Sequence, residues 1–155
     1  MRRRAAVKRE IMPDAKYNSV LVAKFINYVM LDGKKSIVEK EAYKALDELG
    51  VKLKKDNLEA FQELIEKITP KIEVRSRRIG GATYQVPVEV SDRRGMALAL
   101  KWLTTTIRKQ SGKTLAEKIV KSLLEISNNT GWAFKKKEEV FRMAEANKAF
   151  ASYSW

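Results

Sequence analysis

Apolar residues recur along this chain with a helical spacing almost everywhere, and in one stretch with a spacing of two. From Ser19, placed to cap a helix, the run to Leu31 is interrupted only by Lys24 and Asn27, which predicts a central helix buried on most sides. The segment Asp32-Gly33-Lys34-Lys35-Ser36 breaks it. Ser36 with Glu39 has the spacing of a capping box for a second helix ending near Gly50, and Asp56 with Glu59 repeats the device for a third, stopped at Thr69-Pro70.

Between residues 73 and 90 the period changes. Tyr84, Val86, Val88 and Val90 alternate with Thr83, Gln85, Pro87 and Glu89, the mark of a strand with one apolar face, and Gly80-Gly81 supplies a turn back to an arm carrying Arg75, Arg77 and Arg78. Pro87 donates no ladder hydrogen bond, so it suits an isolated two-stranded ribbon better than a sheet interior. Such a ribbon is marginal by itself. It is expected to lean on the helices at its base and to be braced by something else at its tip.

The helical period then returns. A fourth helix is predicted from Asp92 to Gln110, with Met96, Leu100, Leu103 and Ile107 on its core face and Arg94, Lys101 and Arg108 recurring every seventh residue along another side. Arg93 stands at its start, Lys109 at its end and Lys113 just beyond. Thr114 and Glu117 box the start of a fifth helix, which ends at Ser127-Asn128-Asn129-Thr130-Gly131. A sixth begins near Trp132, carries Lys135, Lys136, Lys137 and Arg142, and is expected to turn Val140, Phe141, Met143 and Ala144 inward. The fold class is therefore mainly α: a six-helix bundle in one domain over 1–155, with a protruding two-stranded β-hairpin arm over 72–90 between helices three and four. Residues 1–18, with Arg2, Arg3, Arg4, Lys8 and Arg9 and little periodic apolar content, read as a basic N-terminal arm.

Composition narrows the chemistry. The 155 residues include 45% hydrophobic ones, enough for a core without staples, but no Cys and no His. That removes thiol nucleophiles, imidazole bases, disulfides and most transition-metal sites. No apolar run approaches the ~20 residues that span a bilayer, and the basic start has no signal-peptide hydrophobic region behind it, so a soluble intracellular protein with no membrane partner is expected. The formal charge of +13, from 32 Lys and Arg against 19 Asp and Glu, calls for a polyanion as counter-charge. Nucleic acid is the leading partner class.

Within that class the arginines of the ribbon are the sharpest signal. Arg75 and Arg77 share one strand face and Arg78 takes the other, a pattern from which folding alone gains little. Guanidinium forks fit phosphates, and Gly80-Gly81 allows close backbone approach. Gly33, Lys34 and Lys35 lack the upstream glycine of a phosphate-binding P-loop and suit a solvated turn as well as a phosphate contact. Glu39, Glu41, Asp47, Glu48, Asp56, Glu59, Glu63 and Glu66 gather on the second and third helices, where they read as a solvated face and not as a magnesium site. Tyr84, Trp102 and Trp132 read as structural. Two other classes use the same residues: a β-ribbon architectural protein that bends DNA, for which Ile79 is the one wedge candidate, and a magnesium-dependent nuclease built on the carboxylates.

The segments "RRIGGATYQVPVEV", "DGKKS" and "KKKEEVFRMAEANKAFASYSW" closely resemble the bacterial family of small-subunit ribosomal protein seven, nearly end to end and in order. That resemblance implies a bundle of six helices with a β-hairpin arm, no enzymatic activity and no cofactor. It implies a cytoplasmic protein of the small ribosomal subunit that binds the 3′ major domain of 16S rRNA early and nucleates the head. It further implies a place at the subunit interface near the decoding region and the tRNA exit site, with exit-site tRNA and mRNA nearby and ribosomal proteins nine and eleven as neighbours. Carried over by position, it implies RNA contacts from Arg2 to Arg4, Lys34, Lys35, Arg75, Arg77, Arg78, Gly80, Gly81 and Lys135 to Lys137. The chain departs from the family's habit at Ser91-Asp92, where an Arg-Pro pair is common, and at Phe141, Ser152 and Ser154, where basic or imidazole side chains are frequent.

Overall fold

The structure, a computed structural model, describes residues 9–153. Among them six α-helices and a hairpin follow in the expected order. The helices are α1 (Val20–Val29), α2 (Lys35–Leu53), α3 (Asn57–Ile68), α4 (Asp92–Lys109), α5 (Leu115–Ser127) and α6 (Gly131–Ala146). Strands β1 (Ile72–Ile79) and β2 (Ala82–Glu89) lie between α3 and α4. A short 3₁₀ helix, Lys148–Tyr153, follows α6 and was not legible in the apolar pattern.

Two of the sequence's caps form as read. Asp56 accepts hydrogen bonds from the Leu58 and Glu59 amides at the head of α3. Thr114 accepts from the Glu117 amide at 3.2 Å, and the Glu117 carboxylate returns to the Lys113 amide at 3.0 Å, one residue before the cap. The other two do not. Ser19 stands at the N-cap of α1 but uses its carbonyl, not its hydroxyl, accepting from Ala23 and Asp14. The Ser36–Glu39 box is absent, because Asp32 and Gly33, both with positive φ, turn the chain early and α2 starts at Lys35, leaving Ser36 inside it. Gly50 does not end α2 either; the helix runs on to Leu53 and stops at Lys54 in the left-handed region.

The core is one cluster. Phe25 and Ile26 of α1, Leu46 and Leu49 of α2, Phe61 and Ile68 of α3, Leu100, Leu103 and Ile107 of α4, and Ile119, Leu123 and Ile126 of α5 are fully buried, and Phe25 and Phe61 meet with ring centroids 5.1 Å apart. The helix α1 is buried on most sides, with Val20, Asn27 and Tyr28 as its exposed positions. Val20 and Tyr28 stay exposed because α2 and α4 are the helices that cover it. In α6 the inward positions are Ala133 and Ala144, with Phe134 and Val140 half-buried. Phe141, expected inside, is 57% exposed, and Met143 is exposed too.

Lysines close helix ends across the bundle. Lys67 of α3 donates to the Ser127 carbonyl at the end of α5, at 2.7 Å, and Lys137 of α6 donates to the Lys67 carbonyl at 2.6 Å. Each ammonium meets carbonyls that the helix itself leaves unpaired. In the same way the Glu41 carboxylate accepts from the Ala116 amide in the first turn of α5, at 3.1 Å, so this acid belongs to the packing and not to a solvated face.

The last residues before α1, read from sequence as the end of the basic arm, are anchored. Asp14 is buried and accepts from the Lys16 and Tyr17 amides and, at 2.7 Å, from the Tyr43 hydroxyl of α2. Asp47 accepts from Lys16, Tyr17 and Asn57, and the Lys16 ammonium sits over the rings of both Tyr17 and Tyr43. The hydrogen bond to Lys16 holds the Asp47 carboxyl below its usual range, and the same bond raises the lysine. Burial first, then the bond to Asp14, pushes the Tyr43 phenol up to about 12.

Candidate nucleic-acid interface

The ribbon is set by its turn. Gly80 and Gly81 have φ of 56° and 90°, the left-handed pair that a two-residue hairpin loop requires, and Ile79 pairs with Ala82 across it. From there the register runs Arg78 to Thr83, Arg77 to Tyr84, Arg75 to Val86 and Glu73 to Val88. Directly opposed residues share a face. Arg75 and Arg77 therefore lie on the same face as Val86 and Tyr84, while Arg78 lies on the other face beside the hydrogen-bonded Ser76–Gln85 pair.

The first of these faces is covered at Tyr84 and Val86, which the sequence did not reveal. Val86 is fully buried, and Tyr84 packs against Phe150 and Tyr153 of the 3₁₀ helix with centroids 5.2 and 5.6 Å away. This aromatic group is the brace that the ribbon's marginal stability demands. Arg77 is half-buried on this face, while Arg75 and Arg78 are exposed.

At the ribbon's root Glu73 is buried against two arginines. Its carboxylate accepts from Arg75 Nε at 2.6 Å and from Arg94 Nε, on the first turn of α4, at 3.4 Å. Gly95 makes this approach possible. A Cβ there would stand 2.9 Å from Thr69 Cγ2 and 3.1 Å from the Pro70 carbonyl oxygen, so only glycine lets α4 come so near the chain that feeds β1.

The remaining predicted cations fall in several places. Arg93, Arg94, Lys101, Arg108 and Lys109 are exposed along α4, and Lys109 lies over the ring of Trp132 at 5.1 Å, joining the end of α4 to the start of α6. Trp102 is buried, as a structural tryptophan should be. Lys135 and Arg142 are exposed on α6, and Lys113 is exposed between α4 and α5. Lys136 pairs with Glu139 at 2.9 Å. Lys137 is half-buried and donates to the Lys67 carbonyl, and burial, with Lys71 and Lys67 nearby, holds its pKa down. It is a strut between helices. Lys34 and Lys35 are exposed at the head of α2, where Lys35 approaches Glu39 at 3.6 Å, and Arg9 is exposed. Arg2, Arg3, Arg4 and Lys8 lie outside the described residues.

The arrangement offers guanidinium and ammonium groups on the ribbon, α4 and α6, with α6 packed against both α4 and the ribbon; among the described residues these elements carry more cations than acids, the acids being Glu73, Glu89, Asp92, Glu138, Glu139 and Glu145. Among the described residues no group of three or more acidic side chains is placed to hold a metal ion, and no helix is long and apolar enough to cross a membrane. Comparison with known proteins agrees with the segments singled out in the sequence. The chain is 54% identical over 155 residues, covering 100% of both, to the small ribosomal subunit protein uS7 of Thermosipho africanus. It is 53% identical over 154 residues to that of Dictyoglomus turgidum and 51% identical over 154 residues to that of Cereibacter sphaeroides, with 99% of each chain covered in both cases. The sequence model described as ribosomal protein S7p/S5e matches residues 1–148. With that match and full-length relatives at such identity, the chain belongs to the ribosomal protein S7p/S5e family.

Proposed function

We propose that this protein is a structural, rRNA-binding component of the small ribosomal subunit, cytoplasmic and without enzymatic activity, that binds the 3′ major domain of 16S rRNA and nucleates assembly of the head. The observation that carries the reading is end-to-end kinship with proteins named for the small ribosomal subunit. The basic ribbon, α4 and α6 supply the surface: Arg75, Arg77, Arg78, Arg93, Arg94, Lys101, Arg108, Lys109, Lys113, Lys135, Lys136 and Arg142 meet phosphates, Gly80 and Gly81 approach the backbone, and Arg9, Lys34 and Lys35 extend the contact with Arg2, Arg3, Arg4 and Lys8. Lys137 joins them with the N–H donors that its bond to the Lys67 carbonyl leaves over. In the assembled subunit the protein lies at the subunit interface near the decoding region and the tRNA exit site, close to exit-site tRNA and mRNA and beside ribosomal proteins nine and eleven.

A DNA-bending role wants an apolar wedge at the ribbon tip, and Ile79 is half-buried and paired with Ala82. The test is competition. A transcript of the 3′ major domain should displace bound duplex DNA of equal charge, and log affinity for that transcript should fall steeply with log salt as each phosphate contact releases counterions. A flat salt dependence, or equal preference for DNA, would sink the reading.

A further inference from the structure

The root of the ribbon holds one carboxylate beneath two guanidinium groups. We infer that Glu73, Arg75 and Arg94 form a preassembled site for a single backbone phosphate of RNA, with the two arginines as contacts and Glu73 as the positioning residue. The inference rests on the RNA-binding reading above and gives it one address. The Glu73 side chain is 11% exposed, whereas those of Arg75 and Arg94 are each 54% exposed. The acid is thus the floor and the arginines the rim.

Each arginine turns its Nε edge to the floor. Arg75 donates from Nε to Oε1 at 2.6 Å, with Nη2 on the same oxygen, and Arg94 donates from Nε to Oε2 at 3.4 Å. A guanidinium carries more N–H donors than this uses, so distal Nη groups on both residues remain for an incoming oxyanion. The charges also fall short of balance: one negative charge serves two positive ones, and a phosphate oxygen over the pair supplies what is missing. Because the two arginines come from different elements, β1 and α4, their common carboxylate fixes a relative placement that neither strand nor helix fixes alone. Ordering two long side chains before RNA arrives removes a cost that would otherwise be met on binding.

Charge counting and positioning predict opposite signs for Glu73→Gln. If Glu73 merely offsets nearby arginines, its neutralisation adds net positive charge and RNA binds more tightly. If it positions them, the full-length variant should bind a transcript of the 3′ major domain about tenfold more weakly at ~0.1 M salt. In a chain already carrying Arg75→Ala and Arg94→Ala, the same change should not weaken binding further. Arg94→Lys keeps the charge but loses the planar fork, and should weaken binding about fivefold. It serves as the second probe if Glu73→Gln opens the ribbon root, which lost amide protection across β1 and β2 would report. Unchanged or tighter binding by the Gln variant, an Arg94→Lys chain that binds like its parent, or an undiminished effect of Glu73→Gln without the arginines would each overturn the site. A parent chain with no preference for RNA would overturn the underlying reading instead, so the two failures are told apart.

Discussion

Where the segment before α1 meets α2, the contacts are polar: Asp14 takes two backbone amides and the Tyr43 hydroxyl, and Asp47 takes Lys16, Tyr17 and Asn57. Where the ribbon meets the C-terminal 3₁₀ helix, the contacts are aromatic: Tyr84 lies against Phe150 and Tyr153. Both fasten a basic extension to the same helical body, but by means that answer to different conditions. The polar clasp depends on protonation states and directional bonds. The aromatic brace depends on buried area and survives the salt that loosens RNA. The ribbon can therefore stay in place at salt concentrations that weaken charge–charge contacts.

The largest effect should come from separating the ribbon's reach from its brace. Replacing Arg75, Arg77 and Arg78 together by Ala should lower affinity for the 3′ major domain by about 100-fold at ~0.1 M salt while the melting temperature moves by only ~2–4 °C, since the aromatic brace is intact. A filter-binding titration beside a thermal melt reads both. A large loss of melting temperature with undiminished affinity would make the ribbon a structural hairpin.

Breaking the brace itself should do the reverse in part. Tyr84→Ala removes the ring that Phe150 and Tyr153 hold, and should cost about 2 kcal/mol locally, seen as faster amide exchange in β2, with an RNA affinity about tenfold lower. Exchange in β2 that matches the parent chain would mean that the strand pair and α6 suffice to hold the ribbon.

The polar clasp should yield the smallest effect, and one that depends on pH. Tyr43 keeps its proton to about 12 in the folded chain, above the ordinary phenol value of 10.0, so its contribution is fully present below about pH 10 and is lost as pH rises through about 12. Tyr43→Phe should cost about 1 kcal/mol near neutrality and should remove a step at about pH 12 from the ultraviolet titration of the tyrosines. Loss of a step at the ordinary phenol value instead would mean that Tyr43 is not bonded to Asp14 in solution.

The comparison also shows which physics a sequence displays openly. Helix periodicity, the caps at Asp56 and Thr114, and the glycine turn of the ribbon are local, so residues a few positions apart carry the whole signal. What escaped was settled by distant residues. Phe141 and Met143 fit the same inward arc as Ala144 by spacing, yet the neighbours of α6 cover Ala144 and Ala133 and leave those two exposed. Lys137 looked like one more cation in a basic run, and its pairing with the Lys67 carbonyl depends on α3 ending beside it. The six-residue 3₁₀ helix is too short for a period to show. Glu73 was legible in principle, since it precedes Arg75 by the two residues that put both on one strand face, but Arg94 joins them only through the close approach at Gly95.

The brace of the ribbon has a consequence for the order in which the molecule comes into being. Tyr84 emerges from synthesis before α4, α5 and α6, whereas Phe150 and Tyr153 emerge after them. A growing chain can assemble the core contributed by α1 to α5 while its hairpin still lacks an aromatic partner. The ribbon is thus the last part to be locked, and closing that long loop is a late and slow step relative to helix pairing. Until Lys148–Tyr153 has been made, Tyr84 has neither of the rings that brace it in the finished fold.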